Sequence, residues 1–180
     1  MTHETLLPST DWSWLANTYW YVPEPSLPAL QYDPSTGTLA WMIDQTVWHI
    51  TGCAHGYFWG ATAVLLQPAS GSSSGQAQPV GMVLLGTITP GGGVQLTFIR
   101  TGAQASGSAT IGTGKLLMSD GASRFLMQMS SGNSDRTLHW AEMLQTSPGE
   151  PSWASLPGAG ISVEQMLKGI DPPSFAAPAR

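Results

Sequence analysis

Asp44, His49, Cys53 and His55 fall within twelve residues, a density of oxygen, nitrogen and sulfur donors that invites a metal site or a nucleophile. The spacing argues against both. Cys53-Ala54-His55 is a Cys-x-His step, which is not a zinc-binding spacing, and it sits between predicted strands in a turn bounded by Gly52 and Gly56. No neighbouring cation or helix N-terminus is available to make Cys53 a thiolate. The one metal arrangement left open is a 2-His-1-carboxylate set of His49, His139 and Glu142, because strand residues far apart in sequence can converge. The expectation is therefore no metal and no cofactor.

Acid–base chemistry has better candidates. In the run Thr137 to Gln145 a period-two reading puts Leu138, Trp140, Glu142 and Leu144 on one face and Thr137, His139, Ala141 and Met143 on the other. The first face is the more apolar, which predicts that Glu142 points inward beside Trp140. A carboxylate in such a setting has its charged form disfavoured and can exchange a proton with a bound molecule. With His49 and Arg100 across the interior, Glu142 would make an acid–base and anion-binding group. The competing reading is structural: an ion pair for Glu142 and an ordinary strand histidine for His49.

Aromatic and sulfur side chains offer the other chemistry. Charged residues are 9% of the chain, against about a quarter in a typical soluble domain. Eight tryptophans and eight methionines stand in this charge-poor sequence. Tyr21, Trp41, Trp59, Phe98, Met127, Met129 and Trp140 are expected to line an apolar pocket, Met127 and Met129 forming its adaptable wall. Ordinary core packing is the alternative for each of them.

The elements that must carry these residues are strands. Candidate runs are Leu39 to Ile43, Thr46 to Thr51, Tyr57 to Gln67, Val80 to Thr89, Val94 to Arg100, Ala109 to Ser119, Ser123 to Ser130 and Thr137 to Gln145. Glycine-containing turns separate most of them, Asp120-Gly121 being a strong hairpin signal. Short connections imply antiparallel neighbours, and no helix-length pattern interrupts the series. Val94, Leu96, Phe98 and Arg100 share the inward face of their strand, with Arg100 at the interior's edge. Pro23, Pro25 and Pro28 predict an irregular loop over residues 23–37. Residues 68–79 are low-complexity and read as a flexible hairpin loop. Ser162 and Gln165 have the spacing of a capping box, opening a short helix that Gly169 ends within the C-terminal segment 161–180. Gly60, Gly86, Gly112 and Gly114 interrupt strands, which predicts sharp curvature ahead of a close ligand approach. The expected fold is all-β: one domain over residues 1–180, an antiparallel up-and-down barrel of about eight or nine strands with short capping helices.

The stretch Leu15-Ala-Asn-Thr-Tyr-Trp-Tyr-Val22, a short helix entering an aromatic first strand, and the meander behind it resemble the calycins, the lipocalin-like small barrels. The resemblance spans about Trp12 to Gln145. Asn17 to Trp20 stand where that family has Gly-x-Trp. It implies a barrel mouth that holds a small apolar molecule.

Charge and termini narrow the partners. Net charge is −5 with a pI near 5.1, and the six basic residues are scattered, which does not suit counterion release from nucleic acid. No apolar run approaches eighteen residues, and the start, Met1 to Pro8, lacks the basic and apolar regions of a leader. With Cys53 as the lone cysteine, a cytoplasmic protein is expected. The expected function is binding of a small apolar or aromatic molecule in the barrel mouth. The alternative is a cofactor-independent lyase, isomerase or cyclase on the same barrel, and a third reading is a module whose aromatics are all core. No nucleic acid and no membrane is expected as a partner, and a homodimer stays open.

Overall fold

Alternation of inward and outward side chains runs through nine strands of the computed structural model, which describes residues 11–70, 77–100, 109–119, 122–131 and 136–174. The strands are β1 (Thr18–Tyr21), β2 (Pro28–Asp33), β3 (Thr38–Ala54), β4 (Tyr57–Pro68), β5 (Val80–Ile88), β6 (Gly93–Arg100), β7 (Ala109–Ser119), β8 (Ala122–Ser131) and β9 (Arg136–Thr146). Each strand from β3 to β9 pairs antiparallel with the next. Both β1 and β2 lie between β3 and β9 and pair with each, so the sheet closes. Those two short strands share one position end to end, giving a closed antiparallel up-and-down barrel of eight positions. Among the described residues, closure leaves no long sheet edge open to other chains.

Two sequence expectations change. The two runs 39–43 and 46–51 are one long strand, β3. Residues 28–33, expected within a loop, form β2. Pro28 is the first residue of that strand, where its missing N–H costs no ladder bond, and no proline follows it in β2. The earlier prolines mark a real interruption: residues 22–27 separate β1 from β2, bracketed by Val22 N–H to Thr46 O at 3.3 Å and Asp44 N–H to Leu27 O at 2.9 Å. The predicted turn at Asp120-Gly121, half of the 68–79 loop and the last six residues of the tail lie outside the described residues.

One half of the barrel is packed solid. A 3₁₀ helix (Ser13–Leu15) sits across its end, burying Trp12 and Leu15, and the Trp12 indole N–H donates to Thr89 O at 3.2 Å. Below it Trp20 and Phe125 meet edge to face with ring centres 4.5 Å apart, and Phe125 touches Trp48 at 5.2 Å and Phe58 at 6.5 Å. Gly86 lies under the Phe58 ring, and a Cβ there would run into it. That glycine makes room for a core aromatic and not for a guest.

The C-terminal segment covers the outer wall. Two short helices, α1 (Pro151–Ala154) and α2 (Val163–Met166), bury Leu156, Val163 and Met166 against Val47, Ala63 and Leu65 of β3 and β4. The capping box is formed as its sequence predicts: Gln165 N–H donates to Ser162 Oγ at 3.0 Å and Ser162 N–H to Gln165 Oε1 at 2.8 Å. This helix packs on the side of the barrel and not over an end. Among the described residues no helix is long and apolar enough to cross a membrane.

Candidate binding and acid–base site in the barrel mouth

At the end opposite the 3₁₀ helix the barrel is not filled. A cavity of about 250 Å³ opens there, walled deep down by Trp48, Met82, Phe98, Met129 and Met143. Nearer the rim the lining turns polar, with Gln31, Thr110, Ser131, Thr137 and Arg100. Small inward residues on β9 and β2 help leave the space: Ala141 of β9 and Ala29 of β2 are both buried.

The unexpected feature of the wall is a buried carboxylate and imidazole. On β3 the inward residues are Asp44, Thr46 and Trp48; on β9 they are Thr137, His139, Ala141 and Met143. Asp44 and His139 lie at the level where residues 22–27 leave the ladder between those two strands. His139 Nδ1 is 3.3 Å from Asp44 Oδ2, within ion-pair reach but without hydrogen-bond alignment. The Asp44 side chain is wholly buried, that of His139 11% exposed. The Thr46 hydroxyl lies 3.0 Å and 3.2 Å from the two Asp44 oxygens and donates to them. With Nδ1 turned to Asp44, the nitrogen that His139 leaves for a guest is Nε2.

Two donors complete the setting. Trp48 lines the cavity, and its buried indole N–H has no acceptor among the described residues. A buried donor left alone is costly, so an acceptor on a guest would gain more there than at the surface. Arg100 stands on the inner face of β6 at the mouth and makes no ion pair with any described residue. Asp44, His139 and Arg100 are the titratable side chains lining the cavity among the described residues.

Of the residues singled out from sequence, Arg100, Phe98 and Met129 line this cavity, and Met127 is buried in the packed core below it. The others do not. Trp41 and Trp140 stand on the outer surface, 60% and 59% exposed. Trp59 belongs to the outward series of β4, over Gly52, whose lack of a Cβ admits its ring. Tyr21 packs outside, under the C-terminal segment. His49 is also outside, stacked on Tyr19 at 4.0 Å, and its partial burial lowers its pKa. Glu142 faces outward and pairs with Arg124 at 3.0 Å.

The expectation that Glu142 and Trp140 point inward is therefore reversed: the inner face of β9 is the other one. Hydrophobicity misleads on this strand because its outward residues border an exposed surface while its inward ones border a cavity. The three members of the open metal set are divided, His139 inside and His49 and Glu142 outside. Among the described residues no three His, Cys, Asp or Glu side chains are grouped to hold a metal. Cys53 is half-buried towards the packed end, and burial, with the Asp11 carboxylate adding to it, pushes its thiol pKa up. The chain matches no protein-family model, no curated protein and no solved structure.

Proposed function

We propose that this barrel binds a small, largely apolar molecule in its mouth, as the calycin-like carriers it resembles in architecture do. The observation that carries the reading is the contrast between the two halves of one interior. The half under the 3₁₀ helix is filled by interlocking aromatic rings, whereas the other half keeps about 250 Å³ between Trp48, Phe98 and three methionines. That volume lies just under the usual range for drug-sized ligands, which points to a compact guest. Apolar walls supply affinity, and the polar rim fixes orientation.

Isothermal titration calorimetry with 1-naphthol tests it, with saturable one-site binding as the expected result. Ala141→Leu, which projects a larger side chain into the cavity, should weaken binding at least tenfold, while Trp140→Ala on the outer surface should leave it within twofold. Near-UV circular dichroism checks that the Leu variant keeps its fold. Equal loss in both variants, or no binding to the parent protein, refutes the reading.

A further inference from the structure

We infer that His139 and Asp44 are a proton-transfer pair, and that the cavity deprotonates small, largely apolar carbonyl compounds at a carbon flanking the carbonyl. This rests on the cavity being a binding site. A carboxyl group with no solvent exposure beside an imidazole in an apolar wall is poorly explained by stability, because burying such a group costs desolvation that its neighbours only partly return. Asp44 lies 3.3 Å from Nδ1 of His139 and accepts from the Thr46 hydroxyl, which makes Nε2 the nitrogen to take a proton in this reading. Arg100 and the unpartnered indole N–H of Trp48 line the same cavity and are donors suited to a developing oxyanion. Thr46 gives its hydroxyl proton to Asp44, so it is not poised as a nucleophile, which favours proton abstraction over acyl transfer.

The step balances without an oxidant or co-reactant. Nε2 of His139 takes the proton from the carbon next to the carbonyl. The C–H electron pair becomes a new C=C bond as the carbonyl π pair moves onto oxygen, where Arg100 meets the charge. In a β,γ-unsaturated ketone the enolate electrons then accept the proton back at the γ carbon, restoring C=O and yielding the conjugated isomer. His139 is the catalytic base and acid, Arg100 the oxyanion partner, and Asp44 a positioning residue.

The probe is cyclohex-3-en-1-one, followed by the ultraviolet absorbance of its conjugated isomer and by deuterium uptake in D₂O. Saturable isomerisation above the buffer rate is expected. His139→Ala should lose about a hundredfold or more in kcat, with partial rescue by added imidazole. His139→Gln repeats the loss should the Ala variant fold poorly. Asp44→Asn should lower kcat and move the midpoint of the pH–rate profile with KM within twofold, which a purely structural carboxylate would not do. Arg100→Gln should lose about a hundredfold. Glu142→Gln, outside the barrel, should run at the parent rate. If 1-naphthol binds but the ketone reacts no faster than in buffer, or if folded His139→Gln keeps the parent rate, the inference is overturned and the binding reading stands. If neither molecule binds, the binding reading falls and takes this one with it.

Discussion

Removing one member of the Asp44–His139 pair should cost far more stability than removing both. His139→Leu leaves a carboxylate with no solvent exposure and, among the described residues, only the Thr46 hydroxyl as side-chain partner. Breaking a buried pair in this way costs about 3–5 kcal/mol. In a chain of 180 residues each kcal/mol moves the melting temperature by roughly 2–4 °C, so a fall of about 6–20 °C is expected. Asp44→Leu should be milder, about 1–3 kcal/mol, since the remaining imidazole is neutral-capable and borders an open cavity. The double variant Asp44→Leu/His139→Leu removes the stranded charge and adds apolar wall, so it should return to within about 1 kcal/mol of the parent. The assay is thermal and urea unfolding at pH 7, read by circular dichroism and tryptophan fluorescence. A His139→Leu cost below about 1 kcal/mol would mean that Asp44 does not depend on its partner. A double variant whose loss equals the sum of the singles within about 0.5 kcal/mol would mean that the two residues do not interact.

Gly86→Ala should destabilise the packed half by about 1–3 kcal/mol, because the added methyl runs into the Phe58 ring, which Phe125 backs; an unchanged urea midpoint would show that the aromatic cluster yields freely. His49 should make the protein acid-sensitive: its folded-state pKa lies below the unfolded value, so the native state binds fewer protons, and stability falls as pH drops through and below about 6.5. His49→Phe keeps the stacking on Tyr19 and should flatten the melting temperature between pH 7 and pH 5, whereas a parallel profile would place the acid sensitivity elsewhere.

The strands of this barrel are legible because turn chemistry and alternation agree in the stretch from Val80 to Ile88 and again from Gly93 to Arg100. On β6 the inward series Val94, Leu96, Phe98 and Arg100 is as its pattern predicts, since its outward residues Gln95 and Thr97 are polar. On β9 the two faces are nearly matched in hydrophobicity, and the deciding factor is what each face borders, which a single strand cannot reveal. β2 is hidden by three prolines, although only the one at its first residue touches it. Asp44 escapes notice as a site residue because its neighbours invite a different grouping: His49, Cys53 and His55 are close in sequence, yet β3 sends His49 to the other face. Its true partner is 95 positions away on β9, brought close only by barrel closure.

Trp48 is where the two halves of the interior meet. On one side its ring packs against Phe125 at 5.2 Å and Phe98 at 5.8 Å; on the other it forms cavity wall with an indole N–H that no described residue satisfies. At the same level the ladder between β3 and β9 is interrupted by residues 22–27, and a carboxylate lies buried against an imidazole. An unfilled interior, an orphaned donor, a carboxyl group buried against an imidazole and a broken strand position each work against stability. A sequence drifting under selection for folding alone has no reason to collect them in one place, and elsewhere this barrel obeys the ordinary rules: its packed half is filled, its turns are glycine-rich and its C-terminal helix is capped. Departures from local consistency that coincide in space are the physical signature of a site whose use offsets their cost.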